Sequence, residues 1–448
     1  MASTARRSPP SVRLDSIKDS LRLDSIKDSL LSLPVTPAAA ERTKPPASAI
    51  ILGLLAALAA SGPISTDLYL PSLPRLRVLL GASVSEAQLT LSLFLAGFAV
   101  GGLIYGPLSD RFGRRPVMLA GMIIYILGSI ACALAPSIEI LIIARFIQAL
   151  GGSAGISLSR AMIRDLYGPL GAARALAVIG AAMALAPMIG PILGGAVEAQ
   201  FGWRANFVLL IFFGLLCLSG IWFLLAETNH RLNPLATRPR TLVMNYLTLL
   251  KQPHFRAYAA MVTCCYGGLF AFISGSSYVL MDVLKLTPAA YGICFSIVVT
   301  GYIFGTLISI RLGKRLGIAG MIGLGATAAL SGSLVMVFIA WSLHLEGLWG
   351  VAAIVFPMMF YTAGVGMMLP NSQAGAIAPF PHMAGTASSL LSFTQMTGAA
   401  LFGVLLGHLY DGTARPMASA LALMGVACFG IWLYRLRHPG PITPSDIS

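Results

Sequence analysis

The sequence predicts an all-α integral membrane protein, with 12 transmembrane helices in two pseudo-symmetric six-helix bundles. Three observations predict it. Of 448 residues, 57% are hydrophobic and only 10% charged, whereas a soluble domain carries roughly a quarter charged residues; the mean hydropathy is +0.83. Apolar runs of about 20 residues, the length that crosses a hydrocarbon core, lie near 48–69, 87–109, 117–136, 139–160, 174–196, 205–226, 256–281, 288–310, 318–342, 348–369, 384–406 and 416–434. The loops between the runs alternate in charge. Of the 30 Lys and Arg residues, 24 fall on the face that carries both chain ends. Five (Arg75, Arg77, Arg204, Lys285 and Arg415) fall on the other face, and Arg145 lies within a run. By the positive-inside rule both tails are expected in the cytoplasm.

Along the chain, residues 1–47 form a polar tail with a nine-residue tandem repeat, Arg13 to Leu21 and Arg22 to Leu30. Its composition predicts a weakly ordered cytoplasmic segment. The run that follows is too long for a signal peptide. A first six-helix bundle is expected over 48–226, a cytoplasmic central loop over 227–255, a second bundle over 256–436 and a cytoplasmic tail over 437–448. The halves echo one another: Arg111, Arg114 and Arg115 follow the second run of the first half, and Arg311, Lys314 and Arg315 follow the second run of the second. That is the pattern of two parallel six-helix repeats.

Composition excludes several function classes. The net charge of +14 is spread over short loops between apolar runs rather than gathered into a patch for nucleic acid. The six cysteines stand in apolar runs without C-x-x-C spacing, and the six histidines form no H-x-x-x-H pair. Neither a disulfide framework nor a metal site is expected, and no catalytic constellation is visible.

Four features can carry mechanism. The first is the cationic loop from Gly106 to Pro116, with Gly106, Asp110, Arg111, Gly113, Arg114 and Arg115. Its glycines permit a tight turn and close helix approach, Asp110 can pair with an arginine or face a helix N-terminus, and the whole reads as a charge lock on the cytoplasmic side. The second is Arg145 with Gln148 one turn on, inside the fourth run. An arginine buried in a span costs several kcal/mol unless paired or hydrated. The third is Asp67, which closes the first run in the outer half of the membrane. The fourth is the fifth run, with Gly180, Pro187, Gly190, Pro191, Gly194 and Gly195. Glycines four apart allow close backbone approach, and the prolines bend the helix, so this is a candidate hinge. Tyr266, Phe270, Tyr361, Met367, Met368, Phe393 and Met396 in the second half are of the type that lines an adaptable apolar pocket.

Together these features resemble the major facilitator superfamily over about residues 48–436. Gly106–Pro116 resembles its loop between the second and third helices. Arg145 to Gly155 resembles the fourth-helix motif of its proton-coupled members, and Gly180 to Gly195 the fifth-helix motif of its exporters. Asp67 with Tyr69-Leu70-Pro71-Ser72-Leu73-Pro74, and Gly202-Trp203-Arg204, resemble the bicyclomycin-resistance (Bcr/CflA) drug exporters. The resemblance implies proton-coupled antiport of small amphipathic drugs across a bacterial inner membrane. It also implies a proton gradient as the energy source with no cofactor, lipid and protons as partners, and a monomer. Asp67 and Arg145 would then form a switchable pair. Some related exporters carry a further carboxylate about two turns earlier in the first helix. Residues 55–60 have none here, which points to neutral or zwitterionic substrates. A proton symporter importing a metabolite is the alternative on the same fold, with a membrane enzyme and a non-transporting sensor behind it.

Overall fold

The computed structural model describes residues 49–230, 232–343 and 346–436, so the predicted tails at 1–47 and 437–448 lie outside the described residues. Among the described residues there are helices and loops but no strands. Ten helices are long and apolar enough to cross a membrane, and a bent pair, Ala49–Ala59 and Ser61–Leu79 meeting at 48°, makes an eleventh. One of the ten, Pro288–Ser342, has 55 residues and breaks at Gly317 (φ 66°, ψ −179°). Unbroken, it would be about 80 Å long, far more than one crossing needs. Divided at Gly317 it gives spans eight and nine, and the total of twelve.

Span one is therefore the bent pair. Spans two to seven are Val84–Phe112, Arg114–Leu134, Ile138–Gly168, Arg174–Phe201, Trp203–Leu224 and Pro253–Val283. Spans ten to twelve are Gly347–Ile377, Pro381–Leu409 and Arg415–Arg435. Below, "basic face" means the side of the Gly113 loop and "far face" the side of Arg75 and Lys285.

One joint recurs. Spans two and three meet at Gly113 (φ 100°, ψ 154°) and spans five and six at Gly202 (φ 79°, ψ 171°). Spans four and five meet at Gly168 (φ 64°, ψ −177°), and spans eight and nine at Gly317. Extended backbone with φ well above zero is almost closed to residues with a Cβ. Spans two and three, four and five, five and six, and eight and nine thus each turn back through a single glycine.

Three sequence expectations need correction. The turn expected from Gly106 onward is a single residue. Span two stays helical through Pro107 to Phe112, and a Cβ on Gly106 would meet open space, so Gly113 alone makes the turn. Asp67 does not close span one, because the helical run continues through Leu70–Ser72 to Leu79. The central loop is not all loop: Pro239–Lys251 is a helix that exposes Val243, Met244, Leu247 and Leu250. With Arg240 and Lys251 beside them, these residues suit the boundary between lipid and water. At 13 residues the helix is too short to register as a span.

The two halves meet at the far face. A Cβ on Gly195 in span five would collide with the Pro288 carbonyl at the start of span eight. One on Gly292 would lie 2.5 Å from the Pro191 carbonyl. Ser296 Oγ donates to the Met188 carbonyl across the same joint at 2.6 Å. Spans two and eleven close the other edge, with Gly403 against Ser92 and Gly407 against Gln88. Arg77 and Asp282 form an ion pair across the seal at 3.6 Å. Small residues let these backbones touch, so the far side is sealed.

Candidate functional site

The candidate site is built on spans one to six. Span four holds Arg145 fully buried. Its Nη1 donates to Gln148 Oε1 at 2.6 Å and to the Ser65 carbonyl at 3.1 Å. Gln148 in turn donates through Nε2 to Ser129 Oγ on span three at 2.8 Å. Gln148 follows Arg145 by three residues, which places both on one helix face. The guanidinium lies over the rings of Phe94 at 4.1 Å, Tyr69 at 4.8 Å and Phe207 at 5.8 Å. Desolvated cation–π contacts are worth about 2 kcal/mol, so this aromatic cage offsets part of the burial cost. Nε and Nη2 have no hydrogen-bond partner among the described residues, and none of the four ion pairs found there involves Arg145.

Asp67 is 4% exposed and is not paired with Arg145. It belongs to the helical segment Ser61–Asp67, and it packs on span five, where a Cβ on Gly190 would lie 3.0 Å from its own. It lies within electrostatic reach of Tyr266 on span seven and Tyr291 on span eight. Arg145 therefore grips the backbone two residues before Asp67, while the carboxyl lies toward the second half. In this far-sealed conformation the two charged groups expected to pair are held apart.

The fifth-span residues divide by environment. Gly190 and Gly194 pack on Asp67 and Leu68 of span one, Gly195 packs across the halves on Pro288, and Gly180 has open space around it. Between Ile138 and Phe201 the one residue with non-helical backbone is Gly168. The backbone thus stays helical through Pro187 and Pro191, and the two prolines make no break in span five.

The cationic loop is a network rather than a row of charges. Arg114 pairs with Asp110 at 2.6 Å and with Asp165 on span four at 3.3 Å. Arg111 donates to Thr237 Oγ1 at 2.7 Å, and Arg115 to the Trp222 carbonyl at 2.8 Å. Asn233 donates its backbone N–H to the Asp110 carbonyl at 2.9 Å. Its centre is Glu227, a residue sequence reasoning missed because it stands just beyond span six. Glu227 accepts backbone N–H groups from Arg114, Arg115, Thr228 and Asn229 at 2.8–3.0 Å. It therefore caps span three, the usual place for an anion at a helix N-terminus. A Cβ on Gly113 would lie 2.6 Å from Glu227 Oε2, a second reason for glycine there.

Partial burial works against charge on Glu227, but the four N–H donors outweigh it and hold the carboxyl below its usual range. A lowered folded value means that the stabilisation is complete above the unfolded value of about 4.3 and is lost as pH falls through the folded one. Glu227→Gln is expected to cost about 1 kcal/mol at pH 7, the upper part of the range for an exposed anion at a helix start. The gap to wild type should narrow at about pH 4 and below. Thermal unfolding in nanodiscs at both pH values checks this; a gap unchanged by pH would remove the carboxylate as its cause.

A second missed residue is Glu198. The apolar run ends at 196, but span five continues to Phe201. Glu198 is fully buried. Ser72 Oγ donates to its Oε2 at 2.8 Å, and Asn206 Nδ2 donates to Ser72 Oγ at 2.9 Å. Its Oε1 lies 3.7 Å from Arg75, whose side chain is 60% exposed. The missing signal was the helix end: Gly202 follows Phe201, and glycine is the usual residue just past a helix C-terminus.

Comparison with known proteins places this geometry. The model of the Major Facilitator Superfamily matches residues 49–403. The uncharacterized MFS-type transporter YdgK of Bacillus subtilis is 32% identical over 391 residues, covering 86% of this chain and 95% of that protein. The bicyclomycin resistance protein homolog of Haemophilus influenzae is 31% identical over 369 residues, covering 82% of this chain and 90% of its own. Among solved structures, that of a D-xylose-proton symporter superposes with a TM-score of 0.67 at 17% identity, covering 86% of this chain and 98% of that one; at that identity the likeness is one of fold.

Proposed function

Since the chain belongs to the major facilitator superfamily and is a multi-pass membrane transporter rather than an enzyme, we propose that it exports small amphipathic drugs in exchange for protons. The relatives' resistance names support export of drug-like molecules. The observation that carries the coupling is the separation of Asp67 from Arg145. Asp67 is buried, without an ion pair among the described residues, on the side of span one that meets the second half. A carboxylate in that place carries an uncompensated charge and a carboxylic acid carries none, so adding a proton changes which arrangement of the halves is favoured. Arg145, caged but short of partners, is the group a charged Asp67 would move toward. Because Arg145 holds the Ser65 carbonyl, motion of that turn couples the two.

In this reading the basic face is cytoplasmic by the positive-inside rule, the membrane is a bacterial inner membrane, and the two halves alternate access. The network of Asp110, Arg114, Asp165 and Glu227 fastens the loop between spans two and three to span four and to the segment after span six, so that the first half moves as one body.

The test is drug-evoked proton movement in everted membrane vesicles, made acidic inside and followed with a pH-sensitive dye. Chloramphenicol, bicyclomycin and ethidium are added in turn. Proton release on addition, absent from vesicles lacking the protein, is the expected result. Silence with all three from folded protein would turn the reading toward a narrow metabolite carrier, and proton flux in the same direction as the solute toward a symporter.

A further inference from the structure

We propose that Glu198 is the site at which protons are exchanged with water on the far side before they reach Asp67. The inference rests on the proton-coupled reading above and adds a residue to it.

Four observations meet at Glu198. It is an ionisable group inside a span, the kind of residue that is costly to bury and marks ion or proton pathways. One oxygen is fixed by Ser72, and the other has Arg75 at 3.7 Å and no hydrogen-bond partner among the described residues. The carboxyl is fully buried, whereas Arg75 is mostly exposed at the far face, so the pair joins the interior to the far aqueous side. One hydrogen bond from Ser72 and an ion contact of that length to an exposed arginine are too weak to explain a buried carboxylate as structure.

Its location fits the task. Glu198 lies one turn beyond Gly195, which forms the seal on Pro288. It is two turns, about 12 Å, beyond Gly190, which packs on Asp67. When the halves part at Gly195, Glu198 stands at the mouth of the cleft and Asp67 below it. Ser72, which holds Glu198, is five residues from Asp67 on the same helical run. Tyr69 lies within electrostatic reach of both Glu198 and Arg145. The charged group facing Glu198 among the described residues is Arg75 and the other titratable one is Tyr69, both from span one. Span six presents the neutral Asn206, which holds Ser72. In the step itself the Glu198 carboxylate takes a proton from far-side water and, through water that enters the parted cleft, passes it to the Asp67 carboxylate, restoring its own charge.

The experiment uses purified protein in proteoliposomes and whichever of the three drugs gives the largest vesicle response. Proton-driven transport and gradient-free drug exchange are measured against far-side pH for wild type, Glu198→Gln and Glu198→Asp. Glu198→Gln is expected to keep exchange within twofold while losing about tenfold in proton-driven rate at far-side pH 7.5, with recovery toward wild type at pH 5.5 as protons reach Asp67 directly. Glu198→Asp should restore most of the loss. It also carries the test if the glutamine variant does not fold: an aspartate variant that lags at pH 7.5 and catches up at pH 5.5 supports the proposal. Variants that follow wild type at every pH, or that lose exchange and driven transport equally, overturn it. Wild-type protein with exchange but no proton-driven transport overturns the export reading instead.

Discussion

Asp67→Asn is expected to bring proton-driven efflux down to the level of vesicles lacking the protein while leaving downhill drug movement measurable. Asparagine has nearly the shape of aspartate, so the packing of Gly190 on residue 67, with 3.0 Å between Cβ positions, survives and the protein inserts normally. What is removed is the ability to change charge at a buried place within reach of the second half. Without it the proton has no differential hold on the two arrangements of the halves, and a ligand without differential affinity shifts nothing. Arg145→Lys should fail nearly as completely, although charge is kept. Lysine is a point charge and cannot lie flat on Phe94 while donating to both the Ser65 carbonyl and Gln148 as the planar guanidinium does. Both variants are read by drug-evoked proton release, with size-exclusion profiles confirming folded protein. Unimpaired release in Asp67→Asn would remove that carboxyl from the mechanism.

The spans were legible because lipid leaves a chain little choice: runs of about 20 apolar residues separated by basic loops read as crossings whatever their packing. The face shared by Arg145 and Gln148 was legible for a related reason, since helical periodicity alone joins residues three apart. Contacts between distant segments were not. The aromatic cage brings Tyr69, Phe94 and Phe207 from three spans onto Arg145, and nothing in the spacing of those residues announces it. Opposite charge suggested that Asp67 and Arg145 pair, but in the far-sealed arrangement Asp67 packs on Gly190 of span five and its carboxyl lies toward Tyr266 and Tyr291 of the second half. Glu198 and Glu227 were missed at run boundaries. The apolar run of span five ends short of Glu198, whereas the helix ends where Gly202 breaks it. Glu227 lies outside any span, and its four N–H partners come from two separate stretches of chain.

Two neighbouring glycines in span five should fail in different ways, and the contrast tests whether the far face is a moving seal. A Cβ on Gly194 would collide with the carbonyl of Leu68, within the first half. One on Gly195 would collide with the carbonyl of Pro288, across the halves. Backbone atoms cannot yield as the end of a flexible side chain can. Gly194→Leu must therefore push span five off span one, and it is expected to lose folded protein in the membrane, because small residues let these helices touch without a hydrophobic drive between them. Gly195→Leu leaves each half its own packing and holds only the halves apart. It should yield folded protein with efflux at background and the far side propped open. Ser296 reports on that opening, since its hydroxyl donates across the joint to the Met188 carbonyl and the residue is 8% exposed in the sealed state. With Ser296→Cys as the sole cysteine, labelling by a membrane-impermeant maleimide from the far side is expected to rise severalfold in Gly195→Leu. Labelling no faster than in the parent would mean that the glycine contact is packing shared by both arrangements rather than the seal between them.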